Sequence, residues 1–90
     1  MNRILMTTEA KAWVKRGSGS GELVRIVPDE LEYGSRIHTY QLFTSYDEAP
    51  QYLGMILFDA EGYWIYDGNK LKVDEQEQLA RFIINYKGAV

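Results

Sequence analysis

The segment that decides the fold is YLGMILF, residues 52–58, which is the most apolar stretch of the chain. A short apolar run bounded by turn residues is typical of a strand. The sequence DAEG at residues 59–62 then predicts a turn, and YWIY at residues 63–66 predicts another strand. Together these segments predict an antiparallel hairpin that supplies the fourth and fifth strands of a sheet.

Both strands of this hairpin are apolar on both sides, whereas an antiparallel sheet with one covered face alternates apolar and polar side chains. Strict alternation places on one side Leu53, Met55 and Leu57, and on the other side Tyr52, Ile56 and Phe58. One helix covers only one face, so the other face must be covered by the N-terminal hairpin or by a partner. We expect the following residues to form an interface with a protein partner: Tyr52, Ile56, Phe58, Trp64 and Tyr66.

Three segments before this hairpin also predict strands. In residues 35–44 successive side chains alternate between two sides of a predicted strand. Residues 23–27 form a run rich in β-branched side chains that ends at Pro28. Residues 9–16 alternate as well and predict the first strand, with a short helix capped by Thr8 as the alternative.

The stretch GSGSG, residues 17–21, predicts a flexible hairpin loop between the first two strands. Its composition also matches that of an engineered linker. A phosphate-binding loop is the alternative, but the segment lacks the Gly-Lys-Ser/Thr motif and the following helix that such loops need. The hairpin loop is therefore the preferred interpretation.

The C-terminal segment predicts an amphipathic helix over residues 74–87. Its apolar stripe recurs at helical spacing in Leu79, Phe82, Ile83 and Tyr86. Asp74 and Glu77 resemble a capping box at its beginning, and Gly88 is a suitable stop. Residues 71–73, just before the helix, predict a short sixth strand.

Short turns between these segments favour sequential antiparallel pairing over parallel crossovers. The predicted fold class is therefore α+β, an antiparallel β-meander of about five strands with a C-terminal amphipathic helix packed on one face. The length of 90 residues and the lack of a linker predict a single domain over residues 1–90.

The composition excludes several function classes. The chain has no cysteine, which excludes disulfides, thiolate metal sites and a cysteine nucleophile, and which fits a cytoplasmic location. No apolar run approaches the roughly 20 residues of a membrane-spanning helix, and the N-terminus lacks the apolar core of a signal peptide. We expect a soluble cytoplasmic protein that makes no membrane contact.

Catalytic and metal-binding patterns are weak in this sequence. His38 is the single histidine, and neither Ser35 nor Ser45 lies in a Gly-x-Ser-x-Gly motif. The acidic side chains of residues 59–69 miss the ligand spacing of a calcium loop. The sequence therefore predicts no catalytic residue, no metal site and no cofactor. A small ligand-binding protein or enzyme that uses His38 is the third hypothesis.

A basic and aromatic group lies in the N-terminal half of the chain: Lys11, Trp13, Lys15 and Arg16. Stacking of bases on aromatic rings beside cations is how several single-strand-binding proteins work. The net charge of −3 counts against this role, and lysines on an edge strand also prevent unwanted pairing between sheets. Binding of single-stranded nucleic acid is therefore the second hypothesis.

The first hypothesis is a small non-enzymatic module that binds a protein, of the regulatory or inhibitor type, with a homodimer as one form of it. The chain contains seven Tyr and two Trp, which are side chains enriched at interfaces. Residues 41–90 carry eight acidic and four basic side chains, so an acidic surface is expected in that half.

Overall fold

The computed structural model describes residues 8–17, 20–29, 37–45 and 48–86. Its elements are β1 (Ala10–Arg16), β2 (Ser20–Pro28), β3 (His38–Thr44), β4 (Tyr52–Phe58), β5 (Trp64–Asp67) and α1 (Val73–Asn85). The strands form one sheet in the order β1-β2-β3-β4-β5, and each neighbouring pair is antiparallel. This meander with a C-terminal helix confirms the predicted α+β fold class.

The N-terminal hairpin confirms the strand predicted for residues 9–16 over the helical alternative. Burial alternates along β1: Ala12 and Val14 are buried, while Trp13 between them is exposed. β2 begins at Ser20, so it includes residues that the sequence had predicted as loop. The beginning of the predicted third strand, at residues 35 and 36, lies outside the described residues.

A bulge in β4 changes which of its side chains share a face. Leu42 pairs with Gly54 and Phe43 pairs with Tyr52, so Leu53 is an extra residue in β4. Gly54 has a φ of 111°, a backbone conformation that glycine adopts without strain. The extra residue reverses the alternation at the beginning of β4, so Leu53 is buried in the core and Tyr52 lies on the opposite face.

Replacing Gly54 with alanine is expected to lower the free energy of unfolding by about 1–2 kcal/mol. A Cβ atom there would lie 2.7 Å from the carbonyl oxygen of Asp67 and 2.8 Å from the ring of Tyr66. Gly17→Ala is the matched control, since Gly17 also has a positive φ but a Cβ there would meet nothing within 4 Å. Urea denaturation of both variants checks the prediction, and an equal loss in the two would contradict a role for the close contacts at Gly54.

The helix begins one residue before its predicted start, and its capping differs from the prediction. The N–H of Lys72, the N-cap residue, donates to Oε1 of Glu75 at 2.8 Å. The capping carboxylate is therefore Glu75, and the predicted pair of Asp74 and Glu77 was wrong. The predicted sixth strand over residues 71–73 was also wrong, because Leu71 and Lys72 belong to no strand and Val73 is the first residue of the helix. The helix ends at Asn85 and Tyr86 has an extended backbone, so the predicted end at residue 87 was wrong. The predicted stop at Gly88 lies outside the described residues.

The hydrophobic core lies between the sheet and α1. Its buried members are Ala12, Val14, Val24, Ile26, Tyr40, Leu42, Leu53, Ile56, Phe58, Leu71, Leu79, Ala80 and Ile83. Tyr40 meets Phe58 edge to face, with ring centroids 5.8 Å apart, and burial raises the pKa of Tyr40 to about 12. Within the described segments, no helix has the length and apolar character to cross a membrane.

Candidate functional site

α1 covers one side of the sheet, here called the helix face, and this separates the five residues predicted as a protein interface. Ile56 and Phe58 have no exposed area and belong to the core. Trp64 and Tyr66 are half-buried and pack against the same core. Tyr52, which is 47% exposed, lies on the opposite side because of the bulge. The five residues therefore do not form one surface, and four of them face the helix.

The opposite side of the sheet, here called the open face, is not covered by any described segment. Its side chains are Lys11, Trp13, Lys15, Leu23, Arg25, Val27, Thr39, Gln41, Phe43, Tyr52, Met55, Leu57, Ile65 and Asp67. Trp13 is 62% exposed on the first strand and Ile65 is 65% exposed on the last. Large apolar side chains on both edges of one sheet face are typical of an interaction surface.

A row of hydrogen-bonded polar side chains crosses the middle of the open face. Gln41 donates through Nε2 to Oδ2 of Asp29 at 2.9 Å, and its Oε1 accepts from the hydroxyl of Tyr52. Burial raises the pKa of Tyr52, and the negative charges of Asp67 and Asp29 raise it further. The hydroxyl therefore stays protonated at neutral pH. These hydrogen-bonded side chains lie between two opposite corners of the open face.

The corner on β1, here called the basic corner, consists of Lys11, Trp13 and Lys15. The indole ring of Trp13 lies over Gly21, where a Cβ atom would come within 2.3 Å of the ring. Gly21 thus leaves room for the flat ring on the sheet. Arg25 lies nearby, but both carboxylate oxygens of Glu9 bind its guanidinium at 2.9 and 3.0 Å. The net positive charge of this corner therefore comes from Lys11 and Lys15.

The opposite corner, where β4 ends and β5 begins, is here called the apolar corner and contains a depression of about 300 Å³. Its lining residues are Ile37, Leu57, Phe58, Asp59, Tyr63, Trp64 and Ile65. Asp59 accepts two backbone hydrogen bonds in the turn at 2.9 and 3.0 Å, and Asp67 ends β5 two residues beyond Ile65. One carboxylate therefore lines the apolar depression, and a second carboxylate lies on the same strand as Ile65.

Arg16, the fourth residue of the predicted nucleic-acid site, is bound to acidic groups elsewhere. Its Nε donates to Oε2 of Glu75 at 3.0 Å, and its Nη1 donates to Glu22. The hydrogen bonds that Arg16 donates, first to Glu22 and second to Glu75, raise the pKa of Arg16. The structure therefore brings together Lys11, Trp13 and Lys15 on the open face, while Arg16 ties β1 to the helix.

His38 lies at the beginning of β3, half-buried and opposite Phe58. In the described part of the chain, no group of three or more His, Cys, Asp or Glu side chains is placed to hold a metal ion. Comparison of the chain with protein-family models, with curated proteins and with solved structures finds no match. The functional proposal therefore rests on the surface features of the sheet.

Sequence reasoning missed Leu57 and Ile65 as members of the exposed surface. A usable signal was present in the polar residues Thr39 and Gln41 of the third predicted strand. Side chains directly opposite each other in an antiparallel pair share a face. Thr39 pairs with Leu57, and Leu57 pairs with Ile65, so the polar face of β3 identifies which side of the last hairpin is open.

Proposed function

We propose that this chain is a non-enzymatic protein-binding module that pairs with a second copy of itself through the open face. The proposal rests on one observation: the open face presents the exposed ring of Trp13 at one corner and an apolar depression at the opposite corner. An exposed aromatic ring and an apolar depression at opposite corners of one face suit a twofold dimer, because each contact is then made twice.

The charges at the two corners support a second copy as the partner. Lys11 and Lys15 flank Trp13, whereas Asp59 lines the depression and Asp67 lies two residues beyond Ile65 on β5. A twofold axis that exchanges the corners brings Trp13 of each copy against Leu57 and Ile65 of the other, and lysines against carboxylates. The two sheets then cross at a large angle, which is one of the two common ways in which sheets pack face to face.

The area of the open face sets the expected strength of the dimer. Its longer strands contain seven to nine residues, and five strands about 4.8 Å apart give a face of roughly 500 Å². Two copies together bury roughly 1,000 Å², which is the lower limit for a specific interface. We therefore expect a dimer that forms in the micromolar range and dissociates on dilution.

Replacing Ile65 with aspartate is expected to weaken dimer formation at least about tenfold, because a charge then enters the apolar corner without a partner. Sedimentation equilibrium over a range of protein concentrations measures the dissociation constant. Val73→Asp is the matched control, since Val73 is 67% exposed but lies at the beginning of α1, away from the open face.

The proposal also predicts a rescue by charge exchange. Lys15→Asp and Asp67→Lys should each weaken the dimer, and the double variant should recover most of the lost affinity, because it restores opposite charges at both corners. A chain that stays monomeric at the highest soluble concentration contradicts the proposal. An Ile65→Asp effect no larger than that of Val73→Asp contradicts it as well.

Single-stranded nucleic acid is the second candidate partner, favoured by the exposed Trp13 ring between Lys11 and Lys15. Titration with a fluorescent oligothymidylate at low and high salt tests it, since binding through phosphates weakens steeply as salt increases. Binding that is also lost in Trp13→Ala would support this function. An enzyme that uses His38 has no supporting observation in the described residues, and the cytoplasmic location stays a prediction.

A further inference from the structure

The outer edge of β1 presents backbone groups that no described residue pairs with. The C=O of Leu23 accepts from Ser45 on the β3 side, so the backbone of Leu23 faces away from β1. Its partner Trp13 therefore directs its N–H and C=O outward. Because backbone direction alternates along a strand, the N–H and C=O of Lys11 point outward as well.

Gln78 of α1 shows that this edge accepts a peptide-like group. The N–H of Lys15 donates to Oε1 of Gln78 at 2.8 Å, and Nε2 of Gln78 donates to the C=O of Lys15 at 2.9 Å. The side-chain amide thus occupies the position that a peptide group of a neighbouring strand would take. It bonds only the last outward-facing residue of β1, and no described residue pairs with the edge at Lys11 and Trp13.

A groove runs beside this edge, between β1 and α1, with a volume of about 580 Å³. Its lining residues are Trp13, Gln78, Arg81, Phe82, Asn85 and Tyr86. Phe82 and Tyr86 present adjacent aromatic rings with centroids 5.7 Å apart. The groove therefore has apolar walls on the helix side and a strand edge opposite them, which is the arrangement used when an extended peptide adds a strand to a sheet.

The charges around the groove favour an acidic ligand. Lys11 and Lys15 lie on the open side of β1, and Arg81 lies on the helix side. The nearby carboxylates of Glu22 and Glu75 are both paired with Arg16, so they do not cancel the charge of these three cations. A strand added beside β1 points alternate side chains toward the lysines and toward the aromatic rings.

We propose that the groove between β1 and α1 binds an extended segment of a partner protein as a sixth strand, with acidic and apolar residues alternating along that segment. Its backbone pairs with Lys11 and Trp13. Its acidic side chains lie beside Lys11 and Lys15, and its apolar side chains pack against Phe82 and Tyr86. This site lies along the outer edge of β1, next to the basic corner of the open face, and it adds a second kind of partner to the dimer proposed above.

The test uses a fluorescent hexapeptide of alternating Glu and Val with blocked ends, and a control hexapeptide of alternating Lys and Val. Fluorescence anisotropy gives the affinities, and amide NMR spectra of the full chain locate the site. We expect the acidic peptide to bind at least about tenfold more tightly than the basic one. The amide signals of Lys11 and Trp13 should shift on binding.

Lys11→Pro removes one outward N–H without breaking a hydrogen bond to β2. It is expected to weaken binding of the acidic peptide at least about tenfold, because proline also blocks close pairing with an added strand. Lys11→Ala is the matched control, which keeps the N–H and is expected to lose no more than about threefold. Equal binding of the two peptides overturns the proposal. So does unchanged binding to Lys11→Pro, or peptide-induced shifts confined to β3, β4 and β5.

Discussion

Phe58→Ala is expected to lower the free energy of unfolding by about 3–5 kcal/mol, the range for removing a buried aromatic ring. Phe58 has no exposed area and meets the ring of Tyr40 edge to face. Removal of the ring leaves a cavity in the core that the close-packed neighbours cannot fill without strain. A loss of this size is a large fraction of the stability of a small domain.

Ile65→Ala is the matched comparison for Phe58→Ala, because Ile65 lies on the open face of the same hairpin and is 65% exposed. It is expected to change the free energy of unfolding by less than about 0.5 kcal/mol. Urea denaturation at low protein concentration measures both values for the monomer. If the Ile65 variant lost as much stability as the Phe58 variant, the assignment of the helix face and the open face would be reversed.

Glu75→Ala is expected to lower the free energy of unfolding by about 3 kcal/mol, near the lower end for breaking a buried ion pair. Glu75 is 2% exposed and accepts from the N–H of Lys72 and from Arg16. The variant removes the helix cap and one of the two carboxylates bound to Arg16. The loss stays near the lower end because Arg16 is partly exposed and keeps Glu22.

The same carboxylate makes stability depend on pH. Burial alone raises the pKa of Glu75, but the N–H of Lys72 and the guanidinium of Arg16 outweigh burial and hold the pKa below its usual value. A group with a lowered pKa in the folded state contributes its full stability above its unfolded pKa, and this contribution is lost as pH falls through the folded pKa. The natural chain should therefore lose stability below about pH 4.5, and Glu75→Ala should show less of this loss.

Glu77→Ala is the control for both measurements, because Glu77 lies on the same helix but is exposed. Denaturation curves recorded from neutral to acid pH give the free energy of unfolding for the three proteins. A Glu77 variant as destabilised as the Glu75 variant would show that general helix charge, and not the contact with Arg16 and Lys72, is responsible. An unchanged pH profile in Glu75→Ala would also contradict the account.

The fold was predictable because the turns and the strand patterns agree with each other. The apolar segment 52–58 became β4 with the predicted bounds, and the stripe containing Leu79 and Ile83 became the buried side of α1. Short turns left sequential antiparallel pairing as the simple solution. Local pattern and turn length together were therefore sufficient for the meander and its helix.

The surface was less predictable, because one bulge and the choice of covered face decide it. Strict alternation grouped Tyr52 with Ile56 and Phe58, but the extra residue Leu53 moves Tyr52 to the other side. Gly54 inside a strand was the available sign of a bulge. Which face the helix covers depends on packing across the whole sheet. A strand that is apolar on both sides does not specify that face, because either side could be buried.

The bonds of Arg16 and Gln78 also lay beyond sequence reasoning. Arg16 reaches Glu75, and Gln78 reaches Lys15, across separations of 59 and 63 residues. Contacts at that separation follow from where the helix packs against β1, and no local spacing rule relates the two positions. Arg16 was therefore grouped with its neighbours Lys11 and Lys15 on charge alone, although its side chain faces the helix.

The most direct test of the central claim, that the open face joins two copies, is an isotope-filtered NOE experiment on a mixture of carbon-13-labelled and unlabelled chains. Only contacts between copies give signals in that experiment. The account predicts signals between the indole of Trp13 in one copy and the methyl groups of Leu57 and Ile65 in the other. Signals that join only α1 residues, or no intermolecular signals at concentrations where the mass is that of a dimer, would contradict it.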